Sequence, residues 1–307
     1  MAEQTSRQWK RRAEVIIGKG GNGLSVTDLR IVFEVTKTLK ESPNTANIKI
    51  YNLNPGNEQK IKNEFTDVIL NCGYEDGMRM VFRGNIKHVY RYRDGNDYIT
   101  EIEAADGDRD FTTSVINETL AAGTTNKQII SRAVASFKGG TTEGYTGDVN
   151  EKPRLRGKVI SGMSRDVLSD IARDSGANWS IQDGQLTIVK SGGLLPGTAV
   201  LINANTGMLG APEVDDKGIT VKCLLNPIIT VNGAIKIDNN SIKAKHEKDS
   251  KKKKKKSDTE DDQEEVDSGD GEPVRLSPDG IYKCVKITHA GDTRGSDWTT
   301  ESLCVAL

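Results

Sequence analysis

Gly18, Gly20 and Gly23 stand in the GxGxxG spacing of a dinucleotide-binding turn. That turn works only where a helix opens behind it, so that the helix amides face a pyrophosphate. Here Leu24 to Val35 reads as strand, and the spacing predicts a flexible turn instead. Asp106, Asp108 and Asp110 match the opening positions of a calcium loop. The sixth position is Phe111 rather than the glycine of the sharp turn, and the twelfth is Asn117 rather than a bidentate Glu. The triplet is therefore expected to be a solvated turn between domains. His88, His246 and His289 lie far apart, without the paired spacing that zinc requires. There is no GxSxG elbow and no nucleophilic Cys near a His in sequence. No carboxylate has the apolar or aromatic setting that raises the pKa of a general acid. Cys72, Cys223, Cys284 and Cys304 are scattered, without CxxC spacing, each in an apolar strand-like stretch. Buried free thiols are expected there. The sequence thus assigns no catalytic, cofactor-binding or metal-ligating residue, and neither a cofactor nor enzyme activity is expected.

The remaining chemistry is electrostatic. From Lys243 to Glu272, 20 of 30 residues are charged, with an unbroken lysine run from Lys251 to Lys256. The run could bind nucleic acid or an anionic surface. An acidic block begins at once with Asp258 and competes for the same lysines. So apolar-poor a stretch cannot offset its chain entropy by burial, and disorder is expected. It is not a tail, because strand-like sequence precedes it (Gly218 to Asp238) and follows it (Gly280 to His289). Its ends are expected close together, in one sheet, with the segment dispensable for folding.

The elements that would position any site alternate between two periodicities. Leu29, Ile31, Phe33 and Val35 repeat every second residue, as do Ala46, Ile48 and Ile50, which predicts half-buried strands. Asn54-Pro55 opens a short helix through about Glu64. Val68, Leu70 and Cys72 return to strand, and Val81 to Arg93 pairs with Tyr98 to Ala105 around Asp94-Gly95-Asn96. In the middle, Thr125 and Gln128 form a capping box before Ile130, Ala133, Val134 and Phe137, with Gly139 as the stop. A second helix runs from about Ser164 to Ser175, followed by a hairpin, Ala177 to Gln182 and Gln185 to Lys190, around Asp183-Gly184. Each helix has one apolar face, enough to pack on that hairpin around Trp179. The last region alternates again at Ile219, Val221, Cys223 and Leu225, takes a hairpin turn at Asn232-Gly233, and resumes with Ile281, Val285 and Ile287. The predicted plan is mainly β with a small α/β module between two β regions.

Composition agrees with a divided chain. The 307 residues suggest two or three domains. Only 35 % are hydrophobic and 5 % aromatic, which suits several small barrels or sheets better than one large core. The chain carries 43 basic and 44 acidic residues; the charged segment holds nine Lys and eleven Asp or Glu, leaving 34 against 33. So balanced a remainder sets up no strong field toward nucleic acid or membrane. There is no apolar run long enough for a signal peptide or a membrane-spanning helix. Folding in a reducing cytoplasm is expected.

Several blocks resemble the baseplate hub (tail hub) proteins of tailed bacteriophages. They are ANIKIYNLNPGNEQKI from Ala46, VILNCGYEDGMRMVFRGNIKHV from Val68 and YITEIEAADGDRD from Tyr98. KVISGMSRDVLSDIARDSGANWSIQDGQLTIV, from Lys158, is similar to the helix-plus-hairpin module of these hubs. TGMLGAPEVDDKGITVKCLLNPIITVNGAIKI and GIYKCVKITHAGDTRGSDWTTE flank the charged segment, which departs from the pattern. No block is a catalytic signature, and order and spacing carry the likeness.

The resemblance implies two tube-like β-barrel domains separated by an α/β domain: residues 1–110, 111–190 and 191–307, with the charged insert at about 240–275. It also implies a homotrimer presenting six similar units around a channel, between a sixfold tail tube and a threefold spike. The chain would then be a structural virion protein of the tail baseplate, assembled in the host cytoplasm and lining the channel for DNA ejection. Expected partners are the tail tube, spike, tape-measure and other baseplate proteins, with DNA only in transit and no membrane insertion. The α/β module is expected outside the ring. The insert is expected to project and gain order against a neighbouring tail protein. The alternatives are a tail-associated cell-wall-degrading enzyme, which needs an extra domain with an acid pair, and a nucleic-acid-binding protein using Lys251–Lys256.

Overall fold

The computed structural model describes residues 8–238, 243–244 and 277–307. The histidine His246, the Lys251–Lys256 run and most of the charged insert lie outside the described residues. The first β region contains β1 (Arg12–Lys19), β2 (Asn22–Val26), β3 (Ile31–Thr38) and β4 (Thr45–Tyr51). It continues through α1 (Pro55–Asn63) to β5 (Asp67–Tyr74), β6 (Gly77–Asp94) and β7 (Asp97–Ala105). The central module comprises α2 (Asp108–Thr113), β8 (Val115–Leu120), α3 (Asn126–Ala135), β9 (Thr142–Glu143) and β10 (Lys158–Met163). It ends with α4 (Ser164–Asp174), β11 (Ala177–Gln182) and β12 (Gln185–Lys190). The last region holds β13 (Val200–Leu201), β14 (Glu213–Asp215), β15 (Gly218–Leu224), β16 (Ala234–Lys236) and β17 (Lys243–Ala244). Its long strands are β18 (Ile281–Asp292) and β19 (Trp298–Ala306). The protein is mainly β and its pairing mostly antiparallel, with helices concentrated in the central module.

Local chemistry explains most boundaries. Asn54 caps α1 by accepting from the Gly56 amide, and Pro55 occupies the first helical position. The Thr125–Gln128 capping box is formed at α3. That helix stops at Ala135, with Ser136 as C-cap, so Gly139 is not its terminator. Asp183 and Gly184 take φ of 55° and 77°, the left-handed pair that a two-residue hairpin needs between β11 and β12. Asn232 also has φ 63°, but only β16 follows it directly, and residues 225–231 before it are not strand. The expected hairpin there is a turn after an irregular segment. β18 carries a bulge between Cys284 and Lys286, so Cys284 and Ile287 face the core while Val285 falls outside a simple alternation.

The two β regions share one sheet. Its 14 strands include the path β17-β14-β15-β19-β18-β3-β4-β7-β6-β5-β1-β2, and β3 pairs with β18 from Thr38↔Lys286 to Val32↔Asp292. The sheet nonetheless covers separate cores. One gathers residues of β1 and β5 (Val15, Ile17, Leu70) with residues of β3 and β4 (Ile31, Phe33, Ile48), so this end of the sheet curls onto itself. A second lies within the module, around Trp179, Ile130, Leu168 and Ile171, as the apolar faces of the helices predict. A third lies between β15, β16, β18 and β19. At the seam the cores trade residues: Trp298 and Leu225 enter the first and Leu39 the third. Phe33 meets Trp298 edge to face at 5.6 Å between centroids.

The strands flanking the charged insert belong to one sheet, as expected. β16 pairs with β18 (Ile235↔Tyr282), and the Ile237 amide donates to the Gly280 carbonyl at 2.8 Å. Among the described residues no helix is long and apolar enough to cross a membrane.

Candidate functional site

Two arrangements stand out: a buried polar junction where the module meets the β sheet, and a polar face running across the sheet. The junction begins with the aspartate triplet. Asp106 and Asp110 are not solvated; they are 0 % and 1 % exposed. The Asp106 carboxylate accepts from the amides of Asp183 and Gly184 in the β11–β12 turn. Asp110 accepts from the amides of Lys138, Gly139 and Thr141. Asp108 pairs with Lys87 at 3.2 Å. Asp106 thus fastens the first β region to the β11–β12 turn of the module through backbone amides, Asp108 adds an ion pair to β6, and Asp110 ties α2 to the segment after α3. Gly107 between them has φ 64°, and a Cβ there would stand 2.6 Å from Ile181 Cδ1. The left-handed φ and the close neighbour both favour glycine there.

From the sheet side, the Lys37 ammonium reaches both oxygens of Asp183 at 2.6 Å, almost fully buried. Asn44 donates to the Ile181 carbonyl and the Gln182 side chain, and Asn85 to the Gly139 carbonyl and Asp67. Beside Lys37, His289 is 1 % exposed and its Nδ1 lies 2.9 Å from Thr300 Oγ1. Burial, then the like charge of Asp183, pushes the Asp106 carboxyl up to about 7, against the pull of the two amides and Lys37. Burial, then Lys37, holds the His289 ring down at about 3, so it is neutral. Sequence reasoning missed Lys37 as a junction residue, although a signal existed. It continues the inward phase Ile31, Phe33, Val35, where a lysine must find a buried acceptor.

The polar face is read directly from the register. Leu224, Thr299, Ala290, Glu34, Asn47, Glu103 and His88 are successive cross-strand partners over seven strands, β15 to β6. Lys222, Glu301, Thr288, Thr36 and Thr45 form the neighbouring row. Glu34, His88, Lys222 and Glu301 are exposed, while Phe33 and Val35 beside Glu34, and Val221 and Cys223 beside Lys222, face the cores. Lys49 and Glu101 pair on the same face at 3.6 Å. A shallow cleft of about 370 Å³ opens there, lined by Glu34, Thr36, Asn47, Lys87, His88 and Glu103.

The other singled-out residues are placed apart. Gly18 and Gly23 face one another in the β1–β2 hairpin, whose turn is Gly20-Gly21, and no helix opens behind it. His88 and His289 are on opposite faces of the sheet. All four cysteines are buried and free. Among the described residues no three His, Cys, Asp or Glu side chains gather as a metal site.

Fold and sequence together define a phage tail structural component. The sequence matches the family described as "Baseplate hub gp41" over residues 13–242, and the chain belongs to that family. The fold is similar to that of the 43 kDa tail protein of prophage MuSo2 from Shewanella oneidensis: TM-score 0.57, 11 % identity, 96 % of this chain and 98 % of that one. It is also similar to a tail protein from Neisseria meningitidis MC58, with TM-score 0.59, 9 % identity and 97 % of each chain covered. A chain of a PdpA–VgrG complex matches with TM-score 0.50 and 10 % identity over 97 % of this chain and 65 % of that one. No curated protein sequence matches.

Proposed function

We propose that the chain is a structural subunit of a trimeric baseplate hub, adapting the sixfold tail tube to the threefold spike. Residues 1–110 and 191–307 serve as its two tube-like domains and 111–190 as an outer module. The observation that carries the reading is the polar face, to which both β regions contribute continuous rows across the β3–β18 seam. Two β units per chain, repeated by a closed threefold, give six units around an axis. Turned inward, the face is suited to passing DNA. Glu34, Glu101, Glu103 and Glu301 stand against Lys49, Lys87, Lys222 and Lys286, so the two signs balance and phosphates meet no predominantly basic surface that would retain them. The subunit supplies architecture rather than catalysis, within a family of structural tail proteins. Its partners are the tube, spike and tape-measure proteins, and it assembles in the host cytoplasm.

Light scattering on the purified full chain, alone and with its spike partner, tests the assembly. A trimeric mass is expected, and strictly monomeric or dimeric copies inside intact virions would overturn it.

A further inference from the structure

All four cysteines are buried, but they are not equivalent. Cys72 lies in the first core, whereas Cys223, Cys284 and Cys304 share the third. Within that group, Cys284 Sγ and Cys304 Sγ are 3.5 Å apart and both residues are 0 % exposed. They are direct cross-strand partners in β18 and β19. The Cys284 amide donates to the Gly233 carbonyl at 3.0 Å, and its carbonyl accepts from the Asn232 amide at 2.9 Å. Both backbone groups therefore point away from β19, and Cys284 faces Cys304 as a non-hydrogen-bonded pair. Such pairs hold their Cα atoms about 4.5 Å apart, inside the range of roughly 4.4–6.8 Å that a disulfide spans. The bulge that follows Cys284 is the place where the strand can give, so that the sulfurs can close to about 2.05 Å.

We infer that Cys284 and Cys304 form an oxidisable pair, a modification site where a small peroxide converts two thiols into a cross-strand disulfide stapling β18 to β19. The site goes beyond the hub reading and does not depend on it. One thiol, as thiolate, attacks a peroxide oxygen and expels hydroxide, giving a sulfenic acid. The second thiolate then displaces hydroxide from that sulfur. The two thiol protons combine with the two hydroxides, so two thiols and one hydrogen peroxide yield one disulfide and two waters. Each sulfur loses one electron and the peroxide gains two. Hydrogen peroxide is close to water in size, which suits so buried a pair. The hydrogen bond to Cys284 and burial both push the Cys304 thiol up, so the reaction is slow at neutral pH. Cys223, whose thiol burial raises to about 12, remains the bystander of the trio.

The test treats the folded full chain with hydrogen peroxide at pH 7 and pH 8, then maps peptides without reduction. A Cys284–Cys304 linked peptide is expected, with two of the four thiols lost and formation about tenfold faster at the higher pH. Thermal midpoint should rise by about 5 °C, reversed by dithiothreitol. Cys72→Ala should leave the link intact and Cys304→Ala should abolish it; if Cys304→Ala does not fold, the wild-type map alone decides. Four free thiols after prolonged exposure at pH 8, a dominant link to Cys223, or links between chains would each overturn the assignment.

Discussion

Asp106 and His289, close to the same buried ammonium of Lys37, should make stability depend on pH in opposite senses. The Asp106 carboxyl, raised to about 7 from the ordinary carboxylate value near 3.8, binds its proton more tightly in the folded chain. Its contribution is complete below pH 3.8 and is lost as pH rises through 7. The His289 ring, lowered to about 3 from 6.5, binds its proton less tightly when folded. Its contribution is complete above pH 6.5 and is lost as pH falls through 3. Between pH 4 and 6.5 the two slopes oppose one another, each up to about 1.4 kcal/mol per pH unit. Urea unfolding at pH 4.5 and 6.5 should therefore separate two variants. Relative to wild type, Asp106→Asn gains stability as pH rises and His289→Gln loses it; parallel curves for all three proteins would refute the assignment. Asp110 acts through geometry instead. Asp110→Ala leaves the amides of Lys138, Gly139 and Thr141 without their acceptor, at a cost of about 3 kcal/mol. Faster hydrogen exchange confined to those amides is the local readout.

Among the elements, the module rests on α4. Leu168 is 0 % exposed in the Trp179 core, and Leu168→Ala should cost about 3 kcal/mol. Because that core is separate, limited proteolysis should begin within residues 111–190 while the β regions resist. Simultaneous loss of all three parts would show that the junction couples them into one cooperative unit. Sequence legibility also differed by element. Asn54-Pro55, Thr125 with Gln128, and Asp183-Gly184 sit at sites whose local chemistry is sufficient. Asn232-Gly233 has the turn chemistry, yet the residues before it do not pair as a strand. The bulges in the pairing of β5 with β6, β6 with β7 and β18 with β19 shift phase in ways that periodicity cannot register.

For the whole molecule, the open face and the insert yield separate expectations. Glu34→Lys with Glu103→Lys places two cations in one row of the face. Virions carrying both should assemble normally but eject DNA more slowly at low salt, and an unchanged ejection rate would argue against a channel position. Lys243 and Ala244 pair with β14 as β17, so the insert expected to be dispensable starts after them, and replacing Lys245–Glu272 with a short Gly/Ser linker should leave the thermal midpoint unchanged. The flanking strands already meet through β16 and β18, and loop closure depends only weakly on length. An insoluble product would show that the insert contributes to folding. Unimpaired infectious assembly would remove its partner-binding role.

By itself the sequence determined what short-range physics controls: alternation in the strands, helix caps, the β11–β12 turn, the burial of four thiols and the order of β, α/β and β segments. Tertiary structure decided whatever depends on partners distant along the chain. Ile31, Phe33 and Val35 announce a strand, but nothing in them says that β3 pairs with β18, about 250 residues away, and merges two regions into one sheet. Asp106 and Asp110 look solvated in an alternating acidic triplet until the chain folds over them and supplies five amides. Burial of a charge is a property of the assembled surroundings. That is why the junction of Lys37, Asp106, Asp110 and His289 emerged only when the sheet and the module were brought together.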